Sequence, residues 1–140
     1  MYPLLRYFAL GLFRFPRITK LRNSLAIPIS PKSLSFRIFG QARDTPAKQF
    51  WSITVYDNAT WGFIINPQDR SGLGMFDKDN MKVNDDGSVD VYVGPKAPDG
   101  LECNWIPTAD KIPVIWLRLY GPDEPFWKKT FKMPDIELAK

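Results

Sequence analysis

Histidine is absent from the 140 residues, and cysteine occurs once, at Cys103. No disulfide can close within one chain, and a zinc site built from Cys and His is excluded. Ser-His-Asp and Cys-His arrangements are excluded with it, so any catalysis would rest on carboxylates, Lys, Tyr or a group borrowed from elsewhere. Long apolar runs are missing too. The uninterrupted stretch from Tyr7 to Phe13 falls far short of the ~20 residues that span a bilayer. Acids are absent from residues 1–43, which carry eight Lys or Arg, whereas residues 44–140 hold the other eleven bases and all fifteen acids. The net charge of +4 therefore belongs to the N-terminal segment. The mildly acidic remainder offers nucleic acid no basic surface, so a nucleic-acid partner is not expected.

What is present points to strands. Apolar residues make up 44% of the chain and aromatics 14%, with 13 Pro and 9 Gly. Many aromatics with many turn formers favour short strands joined by loops. The length fits one domain with an appended segment, divided into a basic, apolar extension at 1–32 and a folded domain at 33–140. The extension reads as irregular chain, as a helix making weak membrane-surface contact through residues 1–22, or as a targeting segment. A basic start and a short apolar centre are loosely present, but a small-residue cleavage site is not evident, so there is no clear signal peptide.

Phe50–Asp57 is the clearest strand, with Trp51, Ile53 and Val55 on one face and Phe50, Ser52, Thr54 and Tyr56 on the other. Residues 33–39 alternate with Leu34, Phe36 and Ile38 inward, and a hairpin with the Phe50 strand is the simplest arrangement. Asn84-Asp85-Asp86-Gly87 is the strongest turn signal, and Val89, Val91 and Val93 alternate after it. In 114–120, Ile115, Leu117 and Leu119 form one stripe, opposite Trp116, Arg118 and Tyr120. No convincing amphipathic helix occurs in 33–140. The expected fold is all-β: an antiparallel β-sandwich, jelly-roll-like, of six to eight strands, with an irregular or helical N-terminal extension.

Several motifs fail on their chemistry. In the stretch from Asp77, the calcium-loop positions that require an oxygen ligand, a glycine and a bidentate Glu hold Met81, Lys82 and Ser88, and no metal site is expected. Gly72-Leu73-Gly74 lacks a following Gly-Lys-Ser/Thr and reads as a turn. Glu102 beside Cys103 disfavours a thiolate. Asp57, Asp69, Asp90 and Glu102 lie in or next to turns, where spacing cannot pair two of them as glycosidase acids. Aromatics on alternating strand positions are mostly core. If the faces carrying Tyr56 and Arg118 meet, however, they form a polar-aromatic concavity with Arg118 as the anion-binding group. The competing expectation is inward burial with Arg118 paired to an acid.

Five stretches occur together in register: Pro46–Asp57, Asn66–Arg70, Asn84–Pro98, Glu102–Thr108 and Leu117–Pro122. Over about residues 33–140 they resemble the domain of unknown function 1214 (DUF1214), which is usually the C-terminal half of larger proteins whose N-terminal half is the domain of unknown function 1254. The resemblance implies a jelly-roll β-sandwich in bacterial, often exported or periplasmic proteins that oligomerise in some cases. It implies no agreed reaction, no cofactor and no catalytic residues. Positions matching the family's recurrent pattern are Trp51, Tyr56, Asp57, Arg70, Gly87, Tyr92, Asn104, Trp105, Arg118 and Tyr120. The partner half is replaced here by the basic extension, as in a truncated homologue, which would leave surface open to self-association or to a partner domain.

The leading expectation is a non-catalytic module that binds a small polar or anionic ligand or packs against a domain or another copy. Its candidate residues are Tyr56, Asp57, Asn66, Arg70, Asn104, Trp105, Arg118 and Tyr120. The rival is a remnant or subunit of a hydrolase-like enzyme whose carboxylates, Asp57 and Asp69, are completed by another chain.

Overall fold

The computed structural model describes residues 34–38, 45–77, 79–131 and 136–139. The expectations for residues 1–32, membrane-surface contact through 1–22 included, lie outside the described residues.

The strands are β1 (Leu34–Ile38), β2 (Ala47–Asp57), β3 (Gly72–Gly74), β4 (Val89–Gly94), β5 (Trp105–Pro107), β6 (Pro113–Pro122) and β7 (Ile136–Leu138). Among the described residues, helix is confined to single 3-10 turns at Met75–Asp77 and Glu102–Asn104 and one α-helical turn at Glu124–Trp127. The described residues are mostly strand with very little helix, the all-β character that alternation and turn content predict.

Two sheets form, one ordered β5-β4-β1-β7 and the other β3-β2-β6. The longest ladder joins β2 to β6, with Trp51 opposite Leu119, Ile53 opposite Leu117 and Val55 opposite Ile115. These apolar pairs are buried, with Ile53 and Val55 fully enclosed. They share one core with Leu73 of β3 and with Val89, Val91, Val93 and Ile106 of the other sheet. Each such aliphatic side chain contributes about 1.5–3 kcal/mol by leaving water. The period-2 stripe on each long strand therefore decides which of its faces turns inward.

Two expectations change. β1 and β2 do not form a hairpin: β1 pairs with β4 and β7, β2 with β3 and β6. Alternation sets which face of a strand is buried but carries no information on which neighbour completes its hydrogen bonds. Pairing is also not purely antiparallel, since β4 and β5 run parallel, with Tyr92 beside Trp105 and Val93 beside Ile106.

The Asn84–Gly87 turn forms as its residues require. Gly87 takes φ 80°, a conformation open to glycine, and donates to the Asn84 carbonyl at 2.8 Å. Asp86 Oδ1 accepts from the Ser88 N–H at 3.0 Å and from the Ser88 hydroxyl, fixing the start of β4.

Candidate functional site

With Trp51, Ile53 and Val55 turned to the core, the opposite face of β2 presents Phe50, Ser52, Thr54 and Tyr56. On β6 the same face carries Val114, Trp116, Arg118 and Tyr120. The register sets Phe50 beside Tyr120, Ser52 beside Arg118, Thr54 beside Trp116 and Tyr56 beside Val114. On the other flank Gly74 lies opposite Ser52 and Gly72 opposite Thr54. The polar-aromatic rows are thus neighbours on one continuous outer sheet face, not opposing walls of a cleft, because β2 and β6 are hydrogen-bonded to each other.

Aromatic rings cover both ends of this face. Phe50 and Tyr120 stack at 3.9 Å between centroids and 19° between planes, and Phe76 tilts against Phe50 at 5.0 Å. Tyr56 stacks on Phe63 at 5.0 Å and meets the edge of Trp116 at 6.0 Å. Phe63 and Phe76 are 58% and 79% exposed, so the apolar surface continues outward from the sheet.

Arg118 sits between the two aromatic groups. Its Nη2 donates to the Tyr56 hydroxyl, and its guanidinium carbon lies 5.5 Å from the centre of the Tyr56 ring. The Nε is buried and has no hydrogen-bond partner. Among the described residues no carboxylate pairs with Arg118. The expected acid partner is therefore replaced by a neutral phenol and its π face, which leave the positive charge uncompensated.

The remaining predicted residues occupy other places. Asp57 ends β2 and is buried, accepting from the Ala59 N–H at 3.0 Å and from the Thr60 hydroxyl at 3.1 Å. Asn66 closes the 66–70 loop, donating to the carbonyls of Ile64 and Arg70, both at 2.9 Å, and accepting from the Arg70 N–H at 3.1 Å. Arg70 then reaches the Glu102 and Trp105 carbonyls at 2.8 and 3.1 Å. Asn104 is buried against Lys82 and Asp90, and the Trp105 indole donates to the Gly94 carbonyl at 2.9 Å.

Two groupings result. Tyr56, Arg118 and Tyr120 share the outer face of the β3-β2-β6 sheet. Asn66, Arg70, Asn104 and Trp105 tie loops to the β4–β5 edge of the other sheet, their polar groups taken up by backbone. Phe50, Phe63 and Phe76 complete the outer face without having been candidates. Phe50 was accessible to sequence reasoning, since it shares its parity with Tyr56; Phe76 lies outside any alternating run and gave no such signal.

Residues 27–124 match the family model described as Protein of unknown function (DUF1214). Among solved structures the chain is similar to the VPA0106 protein from Vibrio parahaemolyticus, with a TM-score of 0.62 and 24% sequence identity. The likeness covers 78% of this chain and 26% of that one, so the chain spans about a quarter of the length of that relative, and at this identity it speaks to the fold. No curated protein matches the sequence.

Proposed function

The chain belongs to the DUF1214 family, and we propose that its domain is a non-catalytic binding module, a sandwich of jelly-roll type. Its outer β3-β2-β6 face takes a small carboxylate carried on a flat apolar body. Arg118 is the anion-binding group, with Tyr56 orienting it and Tyr120, stacked on Phe50, supplying the apolar platform. Asp57, Asn66, Arg70, Asn104 and Trp105 support the scaffold that holds this face.

One observation carries the reading: a half-buried guanidinium among aromatic rings whose described contacts are with a phenol and whose Nε is unpartnered. A planar carboxylate would give the guanidinium the charged acceptor it lacks and lie against the rings. Hydrogen bonds to charged groups are worth about 1.5–3 kcal/mol each, so Arg118→Ala should weaken binding by roughly one to two orders of magnitude.

The test is titration with benzoate, and with uncharged benzamide as its isostere, followed by tryptophan fluorescence and calorimetry. Trp116 beside Arg118 should report benzoate and not benzamide, and Arg118→Ala should lose the response. Equal responses to the two compounds, or a benzoate response surviving in Arg118→Ala, would sink the proposal.

A further inference from the structure

β6 is the edge of its sheet: the strand order is β3-β2-β6, and among the described residues nothing pairs with its far side. The ladder shows which groups are left over. In an antiparallel sheet each residue directs its N–H and C=O to the same neighbour. The Val55 and Asp57 N–H groups go to the Ser71 and Gly62 carbonyls, away from β6, whereas the Asn58 N–H goes to the Ile112 carbonyl. The even-numbered residues of β2 therefore bond to their β6 partners, Val114, Trp116, Arg118 and Tyr120. The backbone groups of Ile115, Leu117 and Leu119 point outward.

Edge strands are commonly blunted by lysines, bulges or an interior proline. β6 has none of these on its open side. Its prolines are the terminal Pro113 and Pro122, and Arg118 is its one charged residue. Pro113 stands at an outward-pointing position, where its missing N–H ends the row of donors.

We propose that two copies of this chain pair through β6, antiparallel and centred on Leu117. The strand is self-complementary in this register. Leu117 exchanges hydrogen bonds with the partner's Leu117, and Ile115 does so with the partner's Leu119. Pro113 falls opposite the partner's Gly121, so pairing runs the length of the strand. On the outer face Arg118 lies opposite the partner's Trp116, and Tyr120 opposite the partner's Val114. These are non-hydrogen-bonded positions, where side chains approach most closely, and they place a cation on an indole twice per dimer. Shifting the centre to Arg118 would set the two cations against each other, which disfavours that register. The two three-stranded sheets then become one continuous sheet, and their outer faces adjoin.

The experiment is light scattering after size exclusion of the full chain, with circular dichroism as the check on folding. The wild type should run at twice 16.1 kDa. Trp116→Lys opposes two cations at the close positions and should give a folded monomer, since Trp116 lies on the outer face and not in the core. Adding Arg118→Glu to Trp116→Lys makes each facing pair opposite in sign and should restore the dimer. A wild-type monomer would overturn self-pairing and leave the edge to a strand of another polypeptide. A dimer indifferent to Trp116→Lys, or a double variant that stays monomeric, would place the contact elsewhere or in another register. The prediction is independent of the ligand proposal, because benzoate titration reads Arg118 in either oligomeric state.

Discussion

Asn104 and Lys82 are joined in both directions: Asn104 Oδ1 accepts the Lys82 N–H at 2.7 Å, and Asn104 Nδ2 donates to the Lys82 carbonyl at 2.8 Å. The second amide hydrogen goes to the Asp90 carbonyl, also at 2.8 Å. A single buried side chain thus satisfies both backbone groups of Lys82 and the Asp90 carbonyl of β4.

Removing it should cost far more than an average polar substitution. Asn104→Ala removes three buried hydrogen bonds to backbone, so a loss of ~2–5 kcal/mol is expected. Asn104→Asp should be at least as damaging, because a carboxylate turns acceptors toward two carbonyls. Urea denaturation of both variants checks this; a loss below about 1 kcal/mol in each would contradict the bridging role.

Arg70 makes a comparable link at the rim, through Nη1 to the Glu102 and Trp105 carbonyls. Its side chain is part-exposed and water can replace those bonds, so Arg70→Ala should cost only ~1–2 kcal/mol. The consequence is sharper locally. Amide exchange in 102–107 should speed up while β2 and β6 stay protected, and uniform loss of protection would argue against a local staple.

Much of this scaffold was legible from sequence. β2, β4 and β6 could be read because each has one face in a shared core, and burial imposes a period of two on the residues. Arg118 and Tyr56 could be placed on a polar-aromatic face by the same parity. Their direct contact could not, since it depends on β2 and β6 being neighbours, and that pairing is set by the whole sheet. Asn66 closes its own loop through Ile64 and Arg70, a local role, whereas the role of Asn104 rests on a carbonyl 22 positions away in the chain. No local pattern encodes such a partner.

Gly72 and Gly74 border the candidate face for a reason of space. A Cβ at Gly74 would stand 2.7 Å from the Trp51 carbonyl oxygen, and one at Gly72 would stand 2.6 Å from that of Ile53. Both obstacles are backbone, so they cannot rotate aside. Gly74→Ala should push β3 off β2 and destabilise by about 1–3 kcal/mol, read from the thermal midpoint. A variant as stable as wild type would show that β3 can shift freely.

Tyr56→Phe separates the phenol's two roles toward Arg118. The ring remains beneath the guanidinium, but the hydroxyl that accepts from Nη2 is lost. Stability should fall by no more than ~1.5 kcal/mol, the net worth of one hydrogen bond. Benzoate affinity should fall less than in Arg118→Ala, because the charge stays and only its orientation loosens. An effect equal to that of Arg118→Ala would make the hydroxyl itself a ligand contact.

Trp61 offers the reverse case, a residue whose replacement should help the fold. It sits at φ 59°, a left-handed conformation that crowds any side chain with a Cβ, and its Trp side chain is 62% exposed. The backbone is held there by bonds on either side: the Trp61 N–H donates to the Asp57 carbonyl at 2.8 Å, and the Gly62 carbonyl accepts from the Asp57 N–H at 2.9 Å. Asparagine tolerates this conformation better and, unlike glycine, adds little freedom to the unfolded chain. Because little Trp61 surface is buried, Trp61→Asn should stabilise by about 0.5–1 kcal/mol, and Trp61→Gly should gain less, as relief of strain is offset by unfolded-state entropy. Paired urea titrations with wild type decide it. If Trp61→Asn is the less stable protein, the exposed indole is making contacts that outweigh the strain, and the turn after β2 would have to be regarded as part of the packed structure.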